Sequence, residues 1–269
     1  MDINLDDIET LRSARRMELK AKVAFSGGNY LEIGPAIVGG AEVIPDPHFN
    51  RISIVEPDKF GKALLTECMN NTSGVPMFLD VPYPVSDEIR ELLTEAGYHP
   101  TGESRSSMML VKRVDTGNAV EGFDIELVQP ETLETFLDLF LTGFNTPEDL
   151  VPLARTLFHE LVLRHCNPGN CRLYLGVFRG EPAATLYLYH EGEEGGINMV
   201  STKKELRGRG IATAMMQRTM ADSEELGIRL LSLEALWDGA PERLYKRLGF
   251  TTLMRHEVFS NVPDLKYGL

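Results

Sequence analysis

The chain has 269 residues and a formal net charge of −13, with 43% hydrophobic and 25% charged residues. That balance is the one expected of a soluble globular protein of one large or two ordinary domains. So acidic a surface repels phosphate backbones, which excludes nucleic acid as an expected partner and favours a cationic small molecule or a basic peptide. No apolar run approaches the roughly 18 residues of a membrane span. The N-terminal MDINLDDIETLRSARRMELK alternates acids and bases without an apolar core, so it does not read as a secretory signal. Cys68, Cys166 and Cys171 form no even framework, and a reduced, cytoplasmic setting is the expectation.

In chain order, GNYLEIGPAIVGG and RISIV can supply hairpin strands. DKFGKALLTECMNNTSG reads as a helix ending at Gly74, VPMFLDV (75–81) as a strand and SDEIRELLTEAGY (86–98) as a helix. The small, polar stretch 114–122 reads as a linker. FDIELV (123–128) alternates like a half-buried strand, and Pro130 opens a helical pattern. A second helix is expected over about Glu148 to His165, with leucines at three- and four-residue steps. RLYLGVF (172–178), PAATLYLYH (182–190) and INMVST (197–202) read as antiparallel strands joined by the glycine-bearing turns 179–181 and 191–196. A helix from Ile211 to about Leu226 ends at Gly227, followed by the strand RLLSLEAL (229–236), the helix PERLYKRL (241–248) and a closing strand. The order from Phe123 onward is β-α-α-β-β-β-α-β-α-β, an α/β arrangement on a mixed sheet.

Between the third of those strands and its helix stands Arg207-Gly208-Arg209-Gly210-Ile211-Ala212-Thr213. The first amides of a helix are unpaired and partly positive, and glycines admit close approach of a ligand, so strand, glycine-rich turn and helix make an anion cradle suited to a pyrophosphate. The same glycines also suit a plain turn with solvated arginines. Thr213 stands where a dinucleotide fingerprint needs its third glycine, and no Walker phosphate loop occurs.

Arg207 to Ala212 resembles the R/Q-x-x-G-x-G/A signature of the GCN5-related N-acetyltransferases, the GNAT family. Val200 to Leu206 looks like the strand end and bulge preceding that loop, and Leu244-Tyr245-Lys246-Arg247-Leu248-Gly249-Phe250 like the closing L-Y-x-x-L-G-F. The resemblance spans about Phe123 to Phe259. It implies an acyl-CoA N-acyltransferase fold, with a mixed, mostly antiparallel sheet flanked by helices, and acetyl-CoA as co-substrate. It also implies that amides of Gly208, Arg209, Gly210, Ile211, Ala212 and Thr213, beside Arg207, hold the pyrophosphate. Backbone groups of Asn198, Met199 and Val200 would hold the pantetheine arm. Asp238 stands where many members have a cofactor-contacting asparagine, and Pro241 replaces a common alanine.

Acyl transfer to an amine needs loss of an amine proton, a hydrogen bond to the thioester oxygen and a proton for the leaving thiolate. Tyr245 occupies the position of the family's proton-donating tyrosine. Glu234, near the end of its strand, is a candidate base; an exposed strand carboxylate or a substrate-binding charge fits it too, and some relatives use only water. His159, His165, Cys166 and Cys171 match none of the usual zinc spacings, so no metal is expected.

The first half echoes the second in its helix, strand, helix and Gly97-Tyr98. It has Glu56-Pro57-Asp58-Lys59-Phe60-Gly61-Lys62 where a phosphate loop would stand, and Leu93 where Tyr245 would stand. Residues 1–115 therefore read as a degenerate GNAT-like domain without a cofactor site, and 123–269 as the acetyltransferase domain. The expected function is acetyl transfer to a primary amine of a small molecule or peptide by direct attack. The alternative is a non-catalytic acyl-CoA binder or sensor on the same fold. A tandem can fill the role of a dimer, which leaves monomer and homodimer both open.

Overall fold

In a computed structural model, the described residues are 4–262 except positions 6, 42, 73 and 118. Asn118 of the expected linker and residues 263–269 lie outside them.

The chain opens with a helix the sequence reading left unassigned, α1 (Ile8–Ser26). It stops at Gly27, whose left-handed φ of 72° lets its amide bond Val23 O at 2.8 Å. Strands β1 (Asn29–Ile33), β2 (Ala36–Gly40) and β3 (Arg51–Ile54) follow, then α2 (Lys62–Asn70), β4 (Phe78–Pro82), α3 (Asp87–Glu95) and β5 (His99–Leu110). The expected long helix from Asp58 is shorter: a 3-10 turn at Pro57–Lys59 precedes α2. The second half keeps the expected order: β6 (Phe123–Leu127), α4 (Leu133–Gly143), α5 (Val151–His165), β7 (Cys171–Phe178), β8 (Glu181–Glu191), β9 (Glu194–Thr202), α6 (Ile211–Glu225), β10 (Leu230–Leu236), α7 (Ala240–Arg247) and β11 (Phe250–Ser260). Among the described residues, no helix is long and apolar enough to cross a membrane.

All these strands join one sheet in the order β1-β2-β3-β4-β11-β5-β10-β9-β8-β7-β6. Only β3–β4 and β9–β10 pair in parallel. The two halves interleave instead of lying side by side. First-half β5 runs between β10 and β11, and second-half β11 runs between β4 and β5. The register repeats about the β5–β11 seam: Arg105 faces Leu236 on one side and His256 on the other, while His256 in turn faces Pro82.

The interleaving explains two glycine positions. A Cβ on Gly249 would stand 1.7 Å from Lys112 O, where the chain leaving β5 crosses the start of β11. Gly195 and Gly196, expected in a turn, belong to β9. A Cβ on Gly196 would reach 3.0 Å from Met17 O, so the missing side chain lets α1 lie directly on the strand.

Helices α1, α4 and α5 cover the front face, where Phe25 packs its ring 5.5 Å from those of Phe158 and Tyr187 and 5.8 Å from that of Phe140. Helices α6 and α7 cover the back of the second half, burying Met215, Met216, Met220 and Tyr245 against Leu186, Leu188, Ile197, Leu231 and Leu233. Helices α2 and α3 do the same for the first half through Leu65, Cys68, Ile89 and Leu93.

Candidate active site

The parallel pairing of β9 with β10 runs from Glu194↔Leu230 to Ile197↔Leu233 and ends there, although β9 continues to Thr202 and β10 to Leu236. Beyond that vertex the strands part. On its other edge β9 stays paired with β8 through a bulge: Asn198 faces Tyr187, but Ser201 faces Thr185, so β9 carries an extra residue. Met199 takes the positive φ of 55° that the bulge needs, and its carbonyl accepts from Thr185 Oγ1 at 2.9 Å. The structure thus places Asn198, Met199 and Val200 where β9 has lost its neighbour. Two side-chain atoms on this strand, Asn198 Nδ2 and Thr202 Oγ1, are buried without a hydrogen-bond partner among the described residues.

The chain leaves β9 through a 3-10 turn at Lys204–Leu206 and enters α6 at Ile211. Gly208 and Gly210 hold φ of 77° and 84°, a left-handed backbone that favours glycine. No side chain caps α6. Among the described residues the amides of Gly208, Arg209, Gly210, Ile211, Ala212 and Thr213 have no acceptor; the first to bond is Ala214, to Gly210 O at 2.9 Å. Six consecutive free amides at the positive end of a 15-residue helix form a donor array. Arg207 Nε ties the loop back to Thr202 O at 3.2 Å, and Arg209 lies 5.8 Å from the Phe178 ring centre.

Across the back face, α7 presents Tyr245, which is 5% exposed and 6.1 Å from the Phe250 ring. Its hydroxyl has no hydrogen-bond partner among the described residues, and burial pushes the phenol pKa above its ordinary value. Asp238 sits in the turn before α7 with φ of 54° and an exposed carboxylate 3.6 Å from Arg243. That turn is held by a residue the sequence reading missed. Glu242, 1% exposed, accepts from Asp238 N at 2.6 Å and from Ser106 Oγ and Thr252 Oγ1 at 2.8 Å each. It locks α7 to both seam strands. The available signal was a glutamate at the third position of a helix after a Gly-Ala-Pro start.

Glu234 also reaches the vertex, on the front face. Its carboxylate accepts from Arg15 at 2.8 Å, Arg51 at 2.9 Å and Arg105 at 2.8 Å, with His256 Nε2 at 3.0 Å. Arg15 also pairs with Asp80 and Glu18, and Arg51 with the same two acids at 2.7 Å each. Burial alone would raise the Glu234 carboxyl, but Arg51, Arg105, Lys22 and the bond to His256 outweigh it and hold the carboxyl well below the ordinary range. Asp80, Glu234 and His256 offer ligand atoms within 4.8 Å of one another, yet both carboxylates are already engaged by guanidinium groups, which repel a cation. The network joins α1, β3, β4, β5, β10 and β11, and nothing local in the sequence brings those residues together. Cys166 and Cys171 approach the Tyr187 hydroxyl, at 4.0 and 3.3 Å.

With this geometry in hand, a model of the acetyltransferase (GNAT) domain matches residues 169–252, from the turn before β7 to the start of β11. Solved structures share the fold over nearly the whole chain. A GCN5-related N-acetyltransferase from Kribbella flavida is 15% identical, with 92% of this chain and 95% of that one aligned at a TM-score of 0.61. A GCN5-related N-acetyltransferase from Sphaerobacter thermophilus is 17% identical, covering 96% and 93% at a TM-score of 0.58. A tandem GNAT protein from the clavulanic acid biosynthesis pathway is 13% identical, covering 97% and 98% at a TM-score of 0.55. No curated protein matches the sequence.

Proposed function

We propose that this chain, whose residues 169–252 match the model of the acetyltransferase (GNAT) domain, transfers an acetyl group from acetyl-CoA to a primary amine of a small molecule or peptide. The observation that carries the reading is the run of free amides from Gly208 to Thr213 opening beside the parted strands β9 and β10. A pyrophosphate supplies the oxygens those amides lack, and the parted edges of β9 and β10 supply backbone partners for the pantetheine arm. Arg207 and Arg209 add positive charge at the rim, and Asp238 stands at the opposite rim.

The thioester then comes to lie at the Ile197–Leu233 vertex, with Tyr245 on the back face. The amine nitrogen attacks the acyl carbon, the carbon–sulfur bond breaks, and the thiolate takes the Tyr245 proton. The raised pKa keeps that phenol protonated at neutral pH, and the same dry surroundings disfavour a free thiolate. The amine proton leaves to water, and water returns a proton to the Tyr245 phenolate, which closes the cycle. Glu234 is ionised and saturated with donors, so we assign it a structural place instead of the proton-accepting one.

Among the described residues the first half offers a shorter run of free amides, Gly61 to Leu64 at the start of α2, behind Glu56 and Asp58 and without the flanking arginines. At the end of β3, Arg12 of α1 pairs with Glu56 at 2.9 Å, and Arg15 Nε donates to Ser53 Oγ at 2.6 Å. Side chains of the protein itself fill that side of β3 and β4, so one cofactor per chain is expected.

Tyr245→Phe is expected to lower turnover about a hundredfold while changing acetyl-CoA affinity less than twofold. A panel of primary amines, assayed by release of the CoA thiol, reads the first quantity and calorimetry the second. Equal turnover in the two proteins would remove Tyr245 from the mechanism; absence of turnover in the wild type, with acetyl-CoA bound, would favour the binder or sensor reading.

A further inference from the structure

We propose that the side-chain amide of Asn198 donates a hydrogen bond to the carbonyl oxygen of the acyl thioester, making it a substrate-contacting residue of the transfer reaction. The inference rests on the reading of the β9–β10 split as the acyl-CoA site. It goes beyond that reading because Asn198 was placed there for its backbone alone.

Three observations carry it. First, position: Ile197 and Leu233 are the last pair before the strands part, so Asn198 is the first β9 residue inside the split. Second, direction: Asn198 faces Tyr187, whose ring packs against Phe25 of α1 on the front face. Directly opposed residues of antiparallel strands project to the same side. The Asn198 carboxamide therefore projects to the front, opposite the face that carries Tyr245. Third, chemistry: Asn198 Nδ2 is buried and has no acceptor among the described residues. A buried donor without an acceptor is costly, so such an atom is retained where an acceptor arrives with the ligand.

The chemistry of the reaction narrows that acceptor. A protonated amine has no lone pair to offer. A neutral amine must keep its lone pair for the acyl carbon. The thioester oxygen is the remaining acceptor at the vertex, and it gains negative charge as the nitrogen adds, so a donor aimed at it strengthens along the reaction. Glu234, one residue past the vertex on β10, is an acceptor already filled by guanidinium donors and does not compete for Nδ2.

The test needs no knowledge of the amine. Binding of acetyl-CoA is compared with binding of S-ethyl-CoA, a thioether that lacks the carbonyl, in the wild type, Asn198→Ala and Asn198→Asp. Alanine removes the donor, and aspartate replaces it with an oxygen at nearly constant shape. The wild type is expected to prefer acetyl-CoA, and both variants to lose about fivefold of that preference. Their S-ethyl-CoA affinity stays within a factor of two for alanine. An infrared spectrum of bound acetyl-CoA labelled at the carbonyl carbon should show the stretch at lower frequency in the wild type than in either variant. An unchanged preference and unchanged stretch in folded variants would overturn the Asn198 assignment while leaving the site reading intact. Loss of preference in alanine but not in aspartate would show that the preference does not depend on the Nδ2 donor, and would also overturn it. Failure of the wild type to bind either acetyl-CoA or S-ethyl-CoA would sink the site reading itself.

Discussion

Replacing Gly210 with glutamate is expected to weaken acetyl-CoA binding by at least about a hundredfold, or roughly 2.7 kcal/mol. Three effects act in one direction. Gly210 holds φ of 84°, where an L residue is strained by about 1–2 kcal/mol. A Cβ there would stand 3.3 Å from Val120 Cγ2, which must give way. The new carboxylate would stand among the amides, competing with the pyrophosphate and repelling it. Gly210→Ala separates the contributions, since it keeps the strain and the contact but adds no charge; it should cost less than the glutamate. Calorimetric titration of folded variants reads both. Unchanged affinity in a folded Gly210→Glu protein would sink the loop assignment.

The second large effect concerns the seam between the halves. Arg15, fully buried, bonds Glu18, Asp80, Glu234 and Ser53. Arg15→Ala would leave buried carboxylates short of a partner on α1, β4 and β10, a change that typically costs about 3–5 kcal/mol. For a chain of this size that corresponds to a drop in Tm of roughly 10 °C. The same network sets the response to acid. Burial and the neighbouring Arg15 push the His256 pKa below its ordinary 6.5, against the pull of Asp80 and Glu234. Burial would raise Asp80, but Arg51, Arg15 and His256 bring it below its ordinary 3.8; Glu234 likewise lies well below 4.5. All three folded-state values are depressed, so the unfolded chain takes up protons first on acidification. Stability from these groups is complete above about pH 6.5 and is lost first through His256, then through the carboxylates below about 4.5. A Tm measured from pH 8 down to pH 4 should hold steady and then fall, more steeply at the acid end. A Tm that rises on acidification through this range would contradict the network as described.

Much of the second half was legible because its signals are local. The Arg207–Thr213 loop, the helix it opens and the Leu244–Phe250 closing run each depend on neighbours within a few residues, and each stands where the sequence placed it. The strand bulge at Met199 was likewise foreshadowed by Val200–Leu206. What escaped was non-local. Helix α1 has charged residues on nearly every turn, and its Arg15 and Glu18 turn inward only because strands more than 30 residues away supply Arg51 and Asp80. Strand β5 was not assigned, and its insertion between β10 and β11 follows from the pairing of the halves, which no periodicity records. Gly195 and Gly196 looked like turn residues because glycine's usual use is a turn; in β9 the absent side chain of Gly196 makes room for α1, and that of Gly195 for Ile228 and Leu231. Glu234 looked like a base for the same reason, its position being readable and its three guanidinium partners not.

The most direct test of the account is the stoichiometry of acetyl-CoA binding to the full chain by calorimetric titration. The account predicts one site per chain, abolished by Gly210→Glu. Two sites would contradict the reading of the first half as closed by its own ion pairs, and no binding would remove the acyltransferase proposal altogether.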